Sequence, residues 1–328
     1  MVQPSPALPW NVRLFVNSLA FLVDVCRRSN GTFNRTLINL LDSKASPLSK
    51  PVKGLQSSDV MVDKSRNLWF RLYTPLHHAA ATDLPVIVYF HGGGFVLLAA
   101  DSKTHDNFCQ RLARELPAII ISVNYRLAPE NRHPSAYDDG FDVLKFIDGA
   151  DFKDRRPANS NLKRCFVGGD SAGGNLAHNV AVKAAEHEFD ELRIVGVVAL
   201  QPFFGGQERT ESETRLARAP LVNVDRTDWM WKAFLPDGSD RDHAAVNVFG
   251  PNSVEISGLK FPATMVVVGG FDPLQDWQKK YYWGLKKQGK EAHLIEYPNA
   301  IHGFYIFPEL QESSLLIKDM RDFISNAF

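Results

Sequence analysis

A serine between closely spaced glycines is the side chain in this sequence best placed for covalent chemistry. Residues 169–173 read Gly-Asp-Ser-Ala-Gly, which puts Ser171 at the centre of a G-x-S-x-G motif. An apolar run at 165–167 precedes the motif, and a helical pattern follows from residue 174. A strand, a sharp turn and a helix in this order hold a serine in a strained backbone that exposes its hydroxyl. The pattern therefore predicts Ser171 as the nucleophile of an acyl transfer.

Two other interpretations of this segment stay open at this point. The motif occurs often by chance, and a glycine-rich turn need carry no chemistry. A phosphate-binding loop is the second alternative, but no lysine follows these glycines as such a loop requires. The strand–turn–helix setting favours the nucleophile, because small residues at Gly169 and Gly173 let the strand and helix approach closely.

A run of three glycines predicts where the negative charge of such a reaction is held. Residues 91–95 read His-Gly-Gly-Gly-Phe and directly follow the apolar run 86–90. Each backbone donor aimed at a developing oxyanion is worth about 2.7–4 kcal/mol. We expect Gly93 and Gly94 to form an oxyanion hole with the N–H of Ala172. The histidine of the run is expected to order the loop, and an ordinary flexible turn is the alternative.

The base and its acid partner are expected further along the chain. The order predicted for such a site is serine, acid, histidine, with each residue on a loop after a strand. His302 follows the last apolar run, and Asp272 directly follows the run before it. We expect Asp272 to hold His302 in the tautomer that accepts the serine proton, with Asp276 as the alternative acid. The remaining histidines after the serine are expected on a helix, in an inserted segment or at a strand start: His178, His187, His243 and His293.

Alternating apolar runs predict how these residues are positioned. The predicted strands are 60–62, 68–73, 86–90, 119–123, 165–167, 194–200, 265–268 and 293–297. The predicted helices lie near 104–115, 136–148, 174–188, 275–288 and 313–325. Strands that alternate with helices indicate an α/β fold with a mostly parallel sheet covered on both faces. Reactive groups are then expected at the carboxyl ends of the strands.

Two segments depart from this alternation and are expected to cover the site. An apolar stripe over 12–25 predicts an amphipathic helix near the N-terminus. Residues 205–260 are rich in charged and aromatic side chains and are expected to form an inserted helical cap. We therefore expect one domain over 1–328, with a lid segment at 1–55 and a cap insertion at 205–260.

Composition argues against several other classes of protein. The 328 residues include 37 basic and 37 acidic side chains, so no charge surplus points to nucleic acid or an anionic membrane surface. The apolar stretch 14–25 is too short to span a bilayer and lacks a signal-peptide pattern, so we expect a cytoplasmic protein, with the nucleus as a second location. Three widely spaced cysteines favour reduced thiols over disulfides or a zinc site. No cofactor or metal is expected, and the oligomeric state stays open.

Five segments resemble the plant carboxylesterases of the hormone-sensitive-lipase-like group. They are 91–95, 124–130, 169–174, 272–274 and 302–305. The resemblance implies an α/β-hydrolase fold with a helical cap and a catalytic triad of Ser171, Asp272 and His302. It also implies a carboxylesterase that hydrolyses small-molecule carboxylic esters without a cofactor.

Within that group the sequence is most similar to the carboxylesterase-18-like subgroup, close to the gibberellin receptors. Segments 30–35, 203–211 and 228–234 resemble receptor segments. The receptors keep the serine, lack the histidine base and carry a serine at the position of Gly94, whereas this sequence has both Gly94 and His302. The resemblance therefore favours an esterase. A gibberellin-like receptor is one alternative, and a lyase, cyclase or transacylase of specialised metabolism is another.

An apolar pocket roofed by the lid segment and the cap is expected to hold the ester. Phe95 is a candidate wall residue, and Met230 and Tyr305 are candidates by similarity to receptor ligand positions. Core packing is the alternative for each of them, because large apolar side chains are typical of cores.

Overall fold

Eight strands pair into one sheet in the described part of the chain, residues 6–76 and 83–327 of the computed structural model. The strands are β1 (Leu55–Asp63), β2 (Leu68–Pro75), β3 (Leu84–Phe90), β4 (Ile119–Asn124), β5 (Ser160–Asp170), β6 (Ile194–Leu200), β7 (Ala263–Phe271) and β8 (Ala292–Ile301). Their spatial order is β1-β2-β4-β3-β5-β6-β7-β8. β2 runs antiparallel to both of its neighbours, and all strands from β3 to β8 pair in parallel. The predicted α/β class with a mostly parallel sheet is confirmed.

Helices cover both faces of the sheet. They are α1 (Trp10–Cys26), α2 (Arg35–Leu41), α3 (Lys103–Glu115), α4 (Ser135–Asp148), α5 (Ala150–Lys153), α6 (Ala172–Ala185), α7 (Glu211–Arg215), α8 (Val224–Phe234), α9 (Gln275–Lys287) and α10 (Gln311–Asn326). A short 3₁₀ helix lies at Phe304–Ile306. Across residues 6–76 and 83–327, every helix falls short of the length and apolar character that crossing a membrane requires.

Successive residues of the central strands point into two different cores. Val86, Val88 and Phe90 of β3 pack in one core with side chains of α4, α6 and α9, whereas Ile87 and Tyr89 pack in a second core with α3 and α10. Every residue of β3 is buried, which explains its unbroken apolar run. The three cysteines lie within these cores as free thiols.

The sheet is longer at its margins than the sequence patterns predict. β8 was expected to end at residue 297 but continues to Ile301 through Pro298. Proline is tolerated there because β8 is an edge strand, with one side free of ladder hydrogen bonds.

Helix α2 is not predicted from the sequence, because it is too short for a periodic pattern. It begins where the Asn34 side chain accepts a hydrogen bond from the N–H of Leu37.

The two predicted covering segments are partly helical. The lid segment holds α1 and α2, and its first five residues lie outside the described part of the chain. The cap insertion at 205–260 holds α7 and α8, and turns make up the rest of it.

Parallel pairing brings distant parts of the sequence to one edge of the sheet. The chain leaves the carboxyl ends of β3, β5, β6, β7 and β8 at residues 91, 171, 201, 272 and 302. Since these strands are neighbours in the sheet and run in the same direction, their following loops meet. That edge is where the predicted reactive residues lie.

Candidate active site

Ser171 occupies a sharp turn between β5 and α6. Its φ of 53° is in the left-handed region, which is strained for a residue with a side chain. The turn is tight because a Cβ on Gly169 or Gly173 would overlap the backbone carbonyl oxygen of Phe90. The glycine spacing of the motif therefore follows from packing between β3, β5 and α6, and the strained turn places Ser171 on the wall of a cavity.

His302 and Asp272 form a buried pair at the ends of β8 and β7. The Nδ1 of His302 lies 2.7 Å from Oδ2 of Asp272, and the Asp272 side chain is fully buried. Within the described residues, His302 Nε2 has no hydrogen-bond partner, so it is available to accept a proton. His302 lines the same cavity as Ser171. The serine hydroxyl and Nε2 are not yet hydrogen-bonded, and such contacts often tighten only when substrate is bound.

The alternative acid, Asp276, faces elsewhere. Its Oδ2 accepts a hydrogen bond of 2.8 Å from the backbone N–H of Ser212, at the start of α7 in the cap. Asp276 thus connects α9 to the cap, and Asp272 is the carboxylate beside the histidine.

The surroundings of His302 change its pKa. Burial alone would lower the pKa, since it disfavours the charged imidazolium. The charge of Asp272, its hydrogen bond and the more distant charge of Asp170 outweigh that effect and raise the pKa of His302 above its ordinary value. The pair therefore stabilises the imidazolium that a general base forms when it takes up a proton.

Three backbone N–H groups near Ser171 donate no hydrogen bond to any described residue: those of Gly93, Gly94 and Ala172. Gly93 and Gly94 line the cavity, with φ of 111° and 61°, conformations that glycine adopts readily. Ala172 is buried beside Ser171 as the first residue of α6. Gly93 and Gly94 thus bring unpaired backbone donors to the cavity that Ser171 lines.

The cavity has a volume of about 820 Å³ and mostly apolar walls. Met230 of α8 and Tyr305 line it, and many of the remaining wall residues come from the lid segment. The expectation for Phe95 is wrong. This residue has a φ of 64° and is fully buried behind the wall, with its ring stacked on Phe234 at a centroid distance of 3.8 Å.

Comparison with known families identifies the family of the chain. Residues 87–306 match a family described as having the alpha/beta hydrolase fold, and residues 44–129 match the carboxylesterase family. The chain belongs to the α/β-hydrolase family. Its relatives include a gibberellin receptor of Arabidopsis thaliana, GID1C, 42% identical over 99% of this chain and 96% of the receptor. Carboxylesterase 20 of the same plant is 34% identical over 99% of both chains.

Solved structures agree with this assignment. An ester hydrolase from the metagenome of Lake Arreo superposes with a TM-score of 0.75 and 26% identity, covering 97% of this chain and 98% of that one. The resemblance to plant carboxylesterases related to gibberellin receptors is thereby confirmed for this α/β-hydrolase.

A buried carboxylate next to the serine was missed by sequence reasoning. Asp170 accepts hydrogen bonds from the N–H of Gly92 at 2.9 Å, from the hydroxyl of Tyr89 at 2.6 Å and from that of Tyr305 at 2.9 Å. Burial would raise the pKa of Asp170, but the nearby His105 and these donors hold it at about 2. Asp170 therefore stays ionised and fixes the glycine loop of the α/β-hydrolase against the turn that carries Ser171. Its position directly before Ser171 was the available signal.

Three other histidines make packing or polar contacts away from the Asp272–His302 pair. His91 stacks on Tyr125 with ring centroids 4.3 Å apart, its Nδ1 lies 2.8 Å from the carbonyl oxygen of Gly92, and burial lowers its pKa to about 3. His178 is buried against the hydroxyl of Tyr281 at 3.1 Å, and burial lowers its pKa to about 3. His293 lies 3.0 Å from Glu291 on the outer strand.

The lid segment is attached directly to the cap. Arg226 of α8 donates to both carboxylate oxygens of Asp24 in α1, at 2.9 and 2.6 Å. The indole N–H of Trp229 donates to the carbonyl oxygen of Arg28 at 2.9 Å. Because Met230 follows Trp229 on α8, the lid of this α/β-hydrolase is connected to a residue of the cavity wall.

Proposed function

We propose that this α/β-hydrolase is a carboxylesterase that hydrolyses small-molecule carboxylic esters through an acyl-enzyme on Ser171. The observation that carries the proposal is the buried Asp272–His302 pair, whose free Nε2 lies on the same cavity as the nucleophile turn. A serine without such a base is a weak nucleophile. The apolar cavity supports an ester of modest size as the substrate.

The proposed reaction has two steps. The Ser171 oxygen attacks the ester carbonyl carbon while Nε2 of His302 takes the hydroxyl proton, and Gly93, Gly94 and Ala172 donate hydrogen bonds to the oxyanion. The carbonyl re-forms, the bond to the alkoxy oxygen breaks and His302 protonates the leaving alcohol. A water molecule, deprotonated by His302, then attacks the acyl-serine, the bond to the Ser171 oxygen breaks, and His302 returns its proton to that oxygen as the acid is released.

Hydrolysis of p-nitrophenyl acetate tests this proposal against its main rival. The rival is a gibberellin-like receptor, favoured by the 42% identity to a receptor over nearly the whole chain. We expect steady release of p-nitrophenol, because a complete base–acid pair serves turnover and is not needed for binding alone. Absence of turnover by the folded protein would refute the esterase proposal.

Product analysis with an ester substrate separates hydrolysis, which gives an acid and an alcohol, from a lyase, cyclase or transacylase reaction.

The pH dependence of kcat/KM tests the histidine base. Protonated His302 cannot accept the serine proton, so kcat/KM should fall as the pH drops through the pKa of His302. Since the Asp272 carboxylate raises that pKa, the midpoint should lie above the ordinary value of about 6.5. The measurement is kcat/KM in constant-ionic-strength buffers from about pH 5 to pH 9. A flat profile would contradict the assignment of His302.

A further inference from the structure

Two glutamine side chains converge on the oxygen of Asp272 that faces the histidine. Nε2 of Gln278 donates to Oδ2 of Asp272 at 2.8 Å, and Nε2 of Gln201 donates to the same oxygen at 3.1 Å. His302 Nδ1 lies 2.7 Å from it. The other carboxylate oxygen accepts a hydrogen bond of 2.9 Å from the N–H of Leu274. Both oxygens of Asp272 are therefore fixed by neutral donors.

Gln201 also contacts the chain on both sides of the histidine. It directly follows β6, and its Nε2 donates a second hydrogen bond to the carbonyl oxygen of Ile301 at 3.2 Å. Its Oε1 accepts a hydrogen bond of 2.8 Å from the N–H of Gly303. One side chain thus uses both amide protons and its oxygen to join the acid loop to the residues before and after His302.

The position of Gln201 is held at a cost to the local backbone. Gln201 has a φ of 43°, in the left-handed region that disfavours residues with a side chain. A Cβ on Gly269 of β7 would overlap the amide nitrogen of Gln201, so the neighbouring strand leaves room for this amide. Strained residues of this kind cluster at functional sites.

Gln278 reaches Asp272 from the first turns of α9. The amide must present its nitrogen to the carboxylate, because the reverse orientation would bring two hydrogen-bond acceptors together. Its Oε1 is buried and has no hydrogen-bond partner in residues 6–76 and 83–327. An unpaired buried acceptor destabilises a fold, and an apolar side chain at this position would avoid that cost. What the glutamine supplies is the donor to Asp272.

We propose that Gln201 and Gln278 are positioning residues that fix the Asp272 carboxylate and thereby aim the imidazole of His302 at Ser171. The inference rests on the proposed esterase function. The charged groups that act on His302 are the carboxylates of Asp272 and of the more distant Asp170. The two glutamines donate hydrogen bonds beside these carboxylates without carrying a charge of their own. They orient the acid without adding a competing cation, and they draw part of the negative charge of Oδ2 away from the imidazole.

The variant Gln278→Leu carries the main test. It removes one donor to the buried Asp272 carboxylate, which lowers stability, together with the unpaired oxygen, whose removal raises it, so Tm should change little. We expect kcat to fall about tenfold with KM changed by less than about twofold, because the substrate does not touch this residue. The acidic limb of the kcat/KM profile should move to higher pH, since more charge on Oδ2 stabilises the imidazolium. Gln201→Leu should show the same changes with a lower Tm, because it leaves the buried N–H of Gly303 unpaired.

Gln110→Leu is the matched control. Gln110 of α3 also donates to a buried carboxylate, that of Asp106 at 2.7 Å, but Asp106 belongs to the separate network of Arg71 and Tyr73. Its kcat and pH profile should match those of the wild type. The proposal is overturned if Gln278→Leu leaves kcat and the acidic limb unchanged, or if Gln110→Leu loses as much activity.

A second readout keeps this test separate from that of the esterase proposal. NMR titration of the His302 imidazole measures its pKa without any turnover. An upward shift in Gln278→Leu, absent in Gln110→Leu, supports the positioning role even in a chain that proves to be a receptor. No shift overturns it even in a chain that proves to be an active esterase.

Discussion

Replacement of Ser171 by alanine should lower kcat by a factor of about 10⁴–10⁶ and leave the fold intact. The variant loses the proposed nucleophilic oxygen, while the proposed oxyanion donors and the cavity should continue to bind the ester. Alanine and serine meet the same backbone strain at a φ of 53°, so the turn has no reason to change. The measurement pairs kcat on p-nitrophenyl acetate with a thermal melt.

Ser122→Ala is the matched control for this experiment. Ser122 lies in β4, is fully buried like a core residue and does not line the cavity. Its variant should keep kcat within about twofold of the wild type. A fluorophosphonate should label the wild type and Ser122→Ala but not Ser171→Ala. If Ser171→Ala retains more than about a tenth of the wild-type kcat, another residue is the nucleophile.

The candidate residues chosen from the sequence patterns meet in the structure because parallel strands bring their ends together. Ser171, Asp272 and His302 each follow a run of apolar residues, and that pattern is visible without coordinates. The structure places all three at one edge of the sheet, and His302 is hydrogen-bonded to Asp272. The choice between Asp272 and Asp276 was open, because both follow β7 closely and the sequence does not show where either carboxylate points. The contact of Asp276 with the cap shows which way each carboxylate points.

The supporting residues could not be predicted in the same way. Gln201 and Gln278 contact Asp272 from β6 and α9, across 71 and 6 positions of sequence, and glutamine carries no motif. Phe95 was a candidate wall residue, but it has a positive φ and its ring is buried in the core against Phe234. Adjacency in sequence specifies the loop and not the direction of a side chain, so the ester pocket was the least predictable part of the site.

Replacement of Gly94 by alanine should lower kcat/KM by a factor of about 10²–10³, the cost of one oxyanion donor. A Cβ at this position would overlap Sδ of Met230, and the φ of 61° disfavours any side chain. Either the Met230 side chain or the glycine loop must then shift, and because a side chain is strained at this φ we expect the loop to move and to carry the N–H of Gly94 away from the proposed oxyanion position. The loss should appear mainly in kcat, because the donor acts on the transition state. Steady-state kinetics on p-nitrophenyl acetate measure it.

Two further variants separate the overlap with Met230 from backbone strain. Gly238→Ala is the matched control, because Gly238 has a φ of 82° with nothing within 4 Å of an added Cβ; it should lose stability and keep its activity. The double variant Gly94→Ala/Met230→Ala frees the space and should recover part of the lost kcat/KM, so the two changes are non-additive, as expected for residues in contact. A double variant no better than Gly94→Ala would mean that strain alone disrupts the loop. Recovery would mean that the cap, through Met230, helps to hold the glycine loop in its active position. Because the lid segment is bound to α8, its position would then influence the chemistry as well as access to the cavity.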